Sequence, residues 1–346
     1  MLIPSMPLRA LGGLFIVLLA SGCSSSRHES TETYYLVASN IKISYWQTAL
    51  AGLERGAGDL KVKAELVGPA TYNPKEQRDY FREAAGKKPA GIMISAADPE
   101  MMKSEINAAI AAGIPVITID SDSPGSQRLL FIGTNNYQAG ITGGKVLAQH
   151  LNRKGNVVVF TLPAQTNLVE RMRGYKTALA DTGIKILQEV DVHGDPTIAF
   201  DKTMEIVDKK QNVDGFVCLV STAGKEVADV LSRRKVQGKT IIAMDTDDGT
   251  LDWIEKGGIA ATVAQKPFTM AYYGLRVLDD LHHHKPLKLD TNWSQDLRSL
   301  MPSVIDTGSS LIDSTNVRSI RKAAAGGHGL IPDTLAWLNF NAPHRR

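Results

Sequence analysis

From Tyr34 onward, short apolar runs alternate with longer stretches whose apolar residues return every three or four positions, the two periods of strand and helix. Residues 34–39 form a strand-like apolar run, and residues 46–57 carry Ala49, Leu50, Leu53 and Ala57 at helical spacing. Residues 61–67 alternate Val62, Ala64 and Leu66, as a strand does. Asn73-Pro74-Lys75-Glu76 predicts a helix start, with Asn as cap, Pro at the first helical position and Glu at the third. Residues 91–95 predict a strand, Asp98-Pro99 opens a helix that stops at Gly113, and residues 116–120 predict a buried strand. The pattern then runs a second time. Strands at 156–162, 186–192, 215–219, 240–244 and 260–264 alternate with helices at 168–182, 196–210, 223–234, 249–256 and 267–281. Alternation of this length predicts parallel sheets with helices on both faces. Because it comes in two similar halves that meet near residues 133–136, the expected fold is α/β, two doubly wound, Rossmann-like lobes.

In such sheets a ligand sits beyond the carboxyl ends of the strands, so the residues after each strand are the candidates for chemistry. They include Asn40 and Tyr45-Trp46 after the first strand, Asp120 after residues 116–119, and Glu170-Arg171 beyond residues 156–162. In the second half come Ser221, Asp245 and Gln265. Carboxylates, amides, an Arg and two adjacent aromatics thus collect at one end of both sheets. Aromatic rings can cover the apolar faces of a sugar, and Asp, Asn, Arg and Gln supply the directional hydrogen bonds its hydroxyls need. Each candidate has a plainer reading. Asp120 could cap a turn, Arg171 could be a solvated helix residue, Tyr45 and Trp46 could be core aromatics, and Ser221 could be a helix N-cap.

Composition narrows the function class. A chain of 346 residues with 43% apolar content suits two domains, each with its own core. A formal net charge of +3 gives no argument for nucleic acid or a membrane surface. Ahead of the alternating body, Arg9 precedes an uncharged run at 11–20, which reads as a secretory signal and is too short to span a bilayer. That run ends in Ala20-Ser21-Gly22-Cys23, which resembles the lipobox of bacterial lipoproteins, in which the Cys is lipidated. Everything after Cys23 is then expected outside the cytoplasm, in the periplasm or at the cell surface, held to a membrane by its lipid. The second of the two Cys, Cys218, lies in an apolar run and is expected to be a buried small hydrophobe.

Further stretches carry a family likeness. They are Gly91-Ile92-Met93-Ile94-Ser95, Ala112-Gly113-Ile114-Pro115-Val116-Ile117-Thr118-Ile119-Asp120, and Phe131-Ile132-Gly133-Thr134-Asn135-Asn136-Tyr137-Gln138-Ala139-Gly140. With Gly174-Tyr175, Ala243-Met244-Asp245, Ala261-Thr262-Val263-Ala264-Gln265-Lys266-Pro267 and Thr307-Gly308, the chain from about 34 to 320 resembles the periplasmic sugar-binding proteins of bacterial ABC importers, the ribose- and galactose-binding type. That resemblance implies a sugar between two lobes. It matches Asn40, Tyr45 and Trp46 to first-loop residues that bond and stack on the ring, and Asp120 to a carboxylate that receives two hydroxyls. It matches Arg171 and Asp245 to the Arg and carboxylate of the second lobe, and Gln265 to a residue near a hinge crossing. Ser121 stands where the ribose type has Arg, and Val220-Ser221 where it has Asn-Asp, so the ligand is not expected to be simply ribose.

Two motifs are set aside. His282-His283-His284 cannot converge on one ion, because neighbours on a helix point about 100° apart. Gly140-Ile141-Thr142-Gly143-Gly144-Lys145 lacks the Ser or Thr a phosphate loop needs after Lys. No nucleophile–base arrangement stands out, so an enzyme is the weaker class. The expectation is a monomeric, lipid-anchored binding protein with no cofactor, no metal and no nucleic-acid partner. It would pass a sugar or polyol to an ABC permease. A receptor signalling to a membrane sensor, or one for a nucleoside or autoinducer, is the alternative. Segments 33–135 and 266–293 form the expected first lobe, and 136–265 and 294–322 the second, joined by a three-segment hinge crossing near 133–136, 265–266 and 293–296. A signal at 1–23, a tether at 24–33 and a tail at 323–346 flank them.

Overall fold

Strands with four consecutive buried residues, such as Gly91–Ile94 and Val116–Ile119, can only lie inside a sheet covered on both faces, and two such sheets organise the chain. The computed structural model describes residues 29, 31–284, 289, 297, 299 and 301–325. The signal segment, Cys23, the 293–296 crossing and tail residues 326–346 lie outside the described residues.

The first half runs β1 (Thr33–Val37), α1 (Ser44–Leu60), β2 (Lys63–Val67), α2 (Pro74–Gly86), β3 (Gly91–Ile94), α3 (Pro99–Ala111), β4 (Val116–Ile119) and β5 (Phe131–Gly133). The second runs α4 (Asn136–His150), β6 (Lys154–Thr161), α5 (Thr166–Leu179), β7 (Gly183–Asp191), α6 (Pro196–Asp208), β8 (Gly215–Cys218), α7 (Ala223–Arg233), β9 (Thr240–Met244), α8 (Asp248–Glu255) and β10 (Ala261–Ala264). Then follow α9 (Pro267–His283), β11 (Val304–Asp306), β12 (Ser310–Asp313) and α10 (Val317–Ala325). Helix starts follow the sequence chemistry: the Asn73 side chain accepts from Lys75 N and Glu76 N, and Asp98 accepts from Met101 N.

The sheets have matching orders, β2-β1-β3-β4-β5-β11 and β7-β6-β8-β9-β10-β12. Every pairing is parallel except β12, which runs antiparallel to β10. Each sheet carries its own core, one around Leu36, Ile92, Met93 and Ile117, the other around Val158, Phe160, Phe216 and Ile242. The molecule is therefore two doubly wound α/β lobes.

Helices near the lobe junction change sides. After β5 the chain enters α4, which packs on α5 of the second lobe, and after β10 it enters α9, which packs on α1 of the first. The last crossing corrects the expected boundaries. Residues 294–322 do not all belong to the second lobe, because Val304, Ile305 and Asp306 pair with Phe131, Ile132 and Gly133 of β5. The edge of β5 still offers unpaired backbone groups, and β11 covers them. The third crossing is therefore at residues 307–309, between β11 and β12.

Candidate functional site

The two lobes meet at the carboxyl ends of their strands, and the same local device ends a strand in each. Asp120 follows β4 with φ 63° and Asp245 follows β9 with φ 67°. Left-handed backbone is uncommon outside Gly, and Asp is among the residues that tolerate it. Both backbones remain in the ladder: Asp120 N donates to Ile132 O and Asp245 N to Val263 O. Each carboxylate is thus fixed at the last rung of its sheet and buried in the cleft, with Asp120 7% and Asp245 8% exposed.

Between them lies Arg171 of α5, 2% exposed. Its Nε and Nη2 donate to Asn136 Oδ1 and its Nη1 to Leu219 O. Among the described residues three of the five guanidinium N–H groups are thereby used, and two have no protein partner. Gln265 Nε2 donates to Asp245 Oδ1 at 3.1 Å, and its Oε1 is buried with no partner among the described residues. Asp120 receives the Tyr45 hydroxyl at 2.7 Å, the Ser95 hydroxyl at 3.0 Å and the Asn167 amide at 3.5 Å. The Asn167 contact crosses from the second lobe to the first. So do the bonds of Thr166 Oγ1, which accepts from Asp122 N at 3.1 Å and donates to Asp122 O at 2.9 Å.

Burial sets the electrostatics. Desolvation pushes the Asp245 carboxyl up to about 6, against the pull of Arg171 and the Gln265 amide. Desolvation also raises Asp120, with Tyr45, Arg171, Ser95 and Asn167 opposing it, and lowers Arg171 against the attraction of Asp245 and Asp120. Tyr45 is raised by burial and by Asp120, so its hydroxyl stays a donor.

Asn40, Tyr45, Trp46, Asp120, Arg171, Ser221, Asp245 and Gln265 all border one narrow cleft, with a free volume of about 80 Å³. Their parts differ. Trp46 is 2% exposed and belongs to the first-lobe core, packed edge-on to Tyr45, whose hydroxyl reaches Asp120. Asn40 Oδ1 accepts from Lys42 N and shapes its loop. Ser221 precedes Thr222, which stands at the N-cap of α7 without a side-chain cap bond. Sequence reasoning missed Asn167, Asn136 and Tyr72. Asn167 stands four residues before Arg171, hence on the same helical face, a signal that was available. Asn136 was visible only as part of the lobe junction and of the Phe131-to-Gly140 stretch that carries the family likeness, with no role of its own. Tyr72 packs on the second-lobe core, and no local pattern marks it.

A family model described as a periplasmic binding protein domain matches residues 34–286. The ribose import binding protein RbsB of Bacillus subtilis is 23% identical over 282 residues, covering 78% of this chain and 90% of that protein. A sugar-binding protein of a sugar ABC transporter from Bacillus halodurans has a solved structure with a TM-score of 0.73 and 35% identity, covering 83% of this chain and 99% of that one. The arabinose-binding protein AraP of Geobacillus stearothermophilus gives a TM-score of 0.69 and 33% identity, covering 84% and 99%.

Proposed function

The chain belongs to the periplasmic binding protein family, and from that premise we propose that it captures a monosaccharide or related polyol between its lobes and delivers it to an ABC permease. The carrying observation is the pair of buried strand-end carboxylates, one per lobe, with the Arg171 guanidinium between them. A neutral polyol supplies hydroxyl donors to both carboxylates and hydroxyl acceptors to the remaining guanidinium N–H groups, without bringing a second charge into a buried site. The sugar-binding relatives support this chemistry. Ser121 and Val220-Ser221 carry neither a guanidinium nor an amide, so a ligand with fewer or differently placed hydroxyls than ribose fits the reading.

A thermal-shift screen of pentoses, hexoses and polyols identifies the ligand, since one present at 100 times its Kd stabilises by about 2.7 kcal/mol. Calorimetry then tests the site. Hydrogen bonds to a charged acceptor are worth about 1.5–3 kcal/mol, so Asp120→Ala and Asp245→Ala should each weaken binding roughly 10- to 150-fold. His284→Ala, at an exposed helix end far from the cleft, should leave it unchanged. Wild-type affinity in both Asp variants would remove the cleft from consideration.

The same proposal places the protein outside the cytoplasm on a lipid at Cys23, on the strength of the apolar run and the Ala20-Ser21-Gly22-Cys23 sequence. Wild type should then partition with membranes and Cys23→Ser should not; a wild type that fractionates as free protein refutes the anchor.

A further inference from the structure

At the other end of the first lobe, away from the cleft, β1 begins and α9 ends. The side chains gathered there have no part in the ligand site. Among the described residues His283 alone of the three consecutive histidines joins a cluster of ligating groups, with Asp279 one helical turn before it and Glu32 just ahead of β1. His283 Nε2 lies 3.2 Å from Glu32 Oε2 and 3.5 Å from Asp279 Oδ1, and the three ligating atoms all fall within 4.8 Å of one another. A single ring nitrogen carries at most one hydrogen, so it cannot make a full hydrogen bond to both carboxylates.

The spacing suits a cation. Four-coordinate zinc with bonds of about 2.0–2.2 Å sets its ligand atoms about 3.3–3.6 Å apart, close to the two distances from Nε2. The side chains are largely covered, at 8% exposed for Glu32, 10% for Asp279 and 13% for His283, unlike an open acidic surface. Outer contacts also hold the carboxylates. The Tyr34 hydroxyl donates to Asp279 Oδ1 at 3.1 Å, and Glu29 N donates to Glu32 Oε1 at 2.9 Å. Such outer partners orient ligands and support affinity. An imidazole among the ligands selects zinc over calcium, which takes six to eight oxygens.

We propose that Glu32, Asp279 and His283 form a zinc site. The ion would tie the segment that leads into β1 to the C-terminal end of α9, the helix that returns from the second lobe. The site is independent of the sugar reading.

The test is calorimetric titration of the EDTA-treated, tag-free protein with zinc chloride, alongside thermal melts with and without the metal. One zinc per chain and a raised Tm are expected. Glu32→Gln and His283→Gln should each weaken binding at least about tenfold, since losing even an outer-shell partner costs about 10- to 100-fold. His284→Gln, at an exposed neighbour, should bind as wild type does. Circular dichroism checks that the variants fold, and the two substitutions lie on different elements, so one misfolded variant leaves the other to decide. No saturable zinc binding by wild type overturns the site, as does wild-type affinity in both Glu32→Gln and His283→Gln. Loss of binding in His284→Gln alone also overturns it.

Discussion

Asp120 and Asp245 occupy equivalent strand ends, but their surroundings differ. Among the described residues Asp120 receives three side-chain donors, whereas Asp245 receives one, from Gln265. Asp245 is correspondingly the group that burial raises to about 6, a range where small pH changes matter. A raised carboxyl favours the protonated folded state, so its stabilising contribution is full below its ordinary value of 3.8 and is lost as pH rises through about 6. Under the proposed function a ligand would act in the opposite sense, because sugar hydroxyls donating to Asp245 would favour its ionised form. Binding should therefore be flat above pH 7 and weaken below pH 6 by up to about tenfold per unit, with proton release on binding near pH 6. Calorimetry from pH 5 to 8 in two buffers of different ionisation enthalpy measures both. Asp245→Asn should remove the dependence, and a pH-independent wild type would show that Asp245 does not meet the ligand. The strand-end carboxylates were legible in the sequence because the end of an apolar run is a local signal. Asn136 was not legible in its role, because its contact with Arg171 spans 35 positions and forms only after α4 crosses to the second lobe.

At the scale of elements, the helices that change lobes are held by close glycine contacts. An ideal Cβ on Gly140 of α4 would fall 2.0 Å from Arg171 O, and one on Gly174 of α5 would fall 2.2 Å from Tyr137 O. The counterpart in the first lobe is Gly52 of α1, whose Cβ would fall 2.1 Å from Phe268 O of α9. Backbones this close leave no room for a methyl group, and the α4–α5 contact sets the position of Arg171. Gly140→Ala should push the helices apart, at about 1–3 kcal/mol of stability, and weaken ligand binding by displacing the guanidinium. Gly86→Ala, with nothing near its Cβ, should do neither. Denaturant unfolding and calorimetry on the two variants check this; a Gly140→Ala protein with wild-type stability would mean the crossing is loosely packed. The long alternation of strand and helix made the doubly wound lobes readable ahead of the structure. It did not show β11 or β12. Val304–Asp306 is a three-residue strand with no period of its own, and β5 supplies its place.

For the whole molecule the question is what keeps the lobes together. The chain passes between them at residues 134–135, 265–266 and 307–309. In this closed arrangement the cross-lobe side-chain contacts include Thr166 with the backbone of Asp122, Asn167 with Asp120, and Tyr72 against Gly194. An ideal Cβ on Gly194, whose φ is +72°, would lie 2.2 Å from Tyr72 Cβ, so the two lobes touch backbone to side chain there. The cleft beside these contacts is lined from both lobes by polar groups such as Asp120, Arg171, Asp245 and Gln265 together with apolar ones such as Ile43, Leu168 and Leu219, so a ligand there can bridge the two sides. The neutral Thr166 bonds are worth about 0.5–1.5 kcal/mol each. The Asn167 bond to the Asp120 carboxylate is worth about 1.5–3 kcal/mol at most at its 3.5 Å length, and about 1.4 kcal/mol shifts a population tenfold. The polar contacts can therefore bias the lobes toward closure but leave a large share of the bias to the ligand, which acts by shifting the population. Removing them with Thr166→Val and Asn167→Ala together should open the unliganded protein and enlarge its radius of gyration in small-angle scattering. Saturating ligand should restore the closed value in the variant, because both strand-end carboxylates and Arg171 remain to grip it. Its affinity should fall by the free energy no longer available from the latch. If the radius stays the same in wild type and variant, with and without ligand, the lobes do not move as a hinge. The cross-lobe bonds would then be fixed parts of one rigid body.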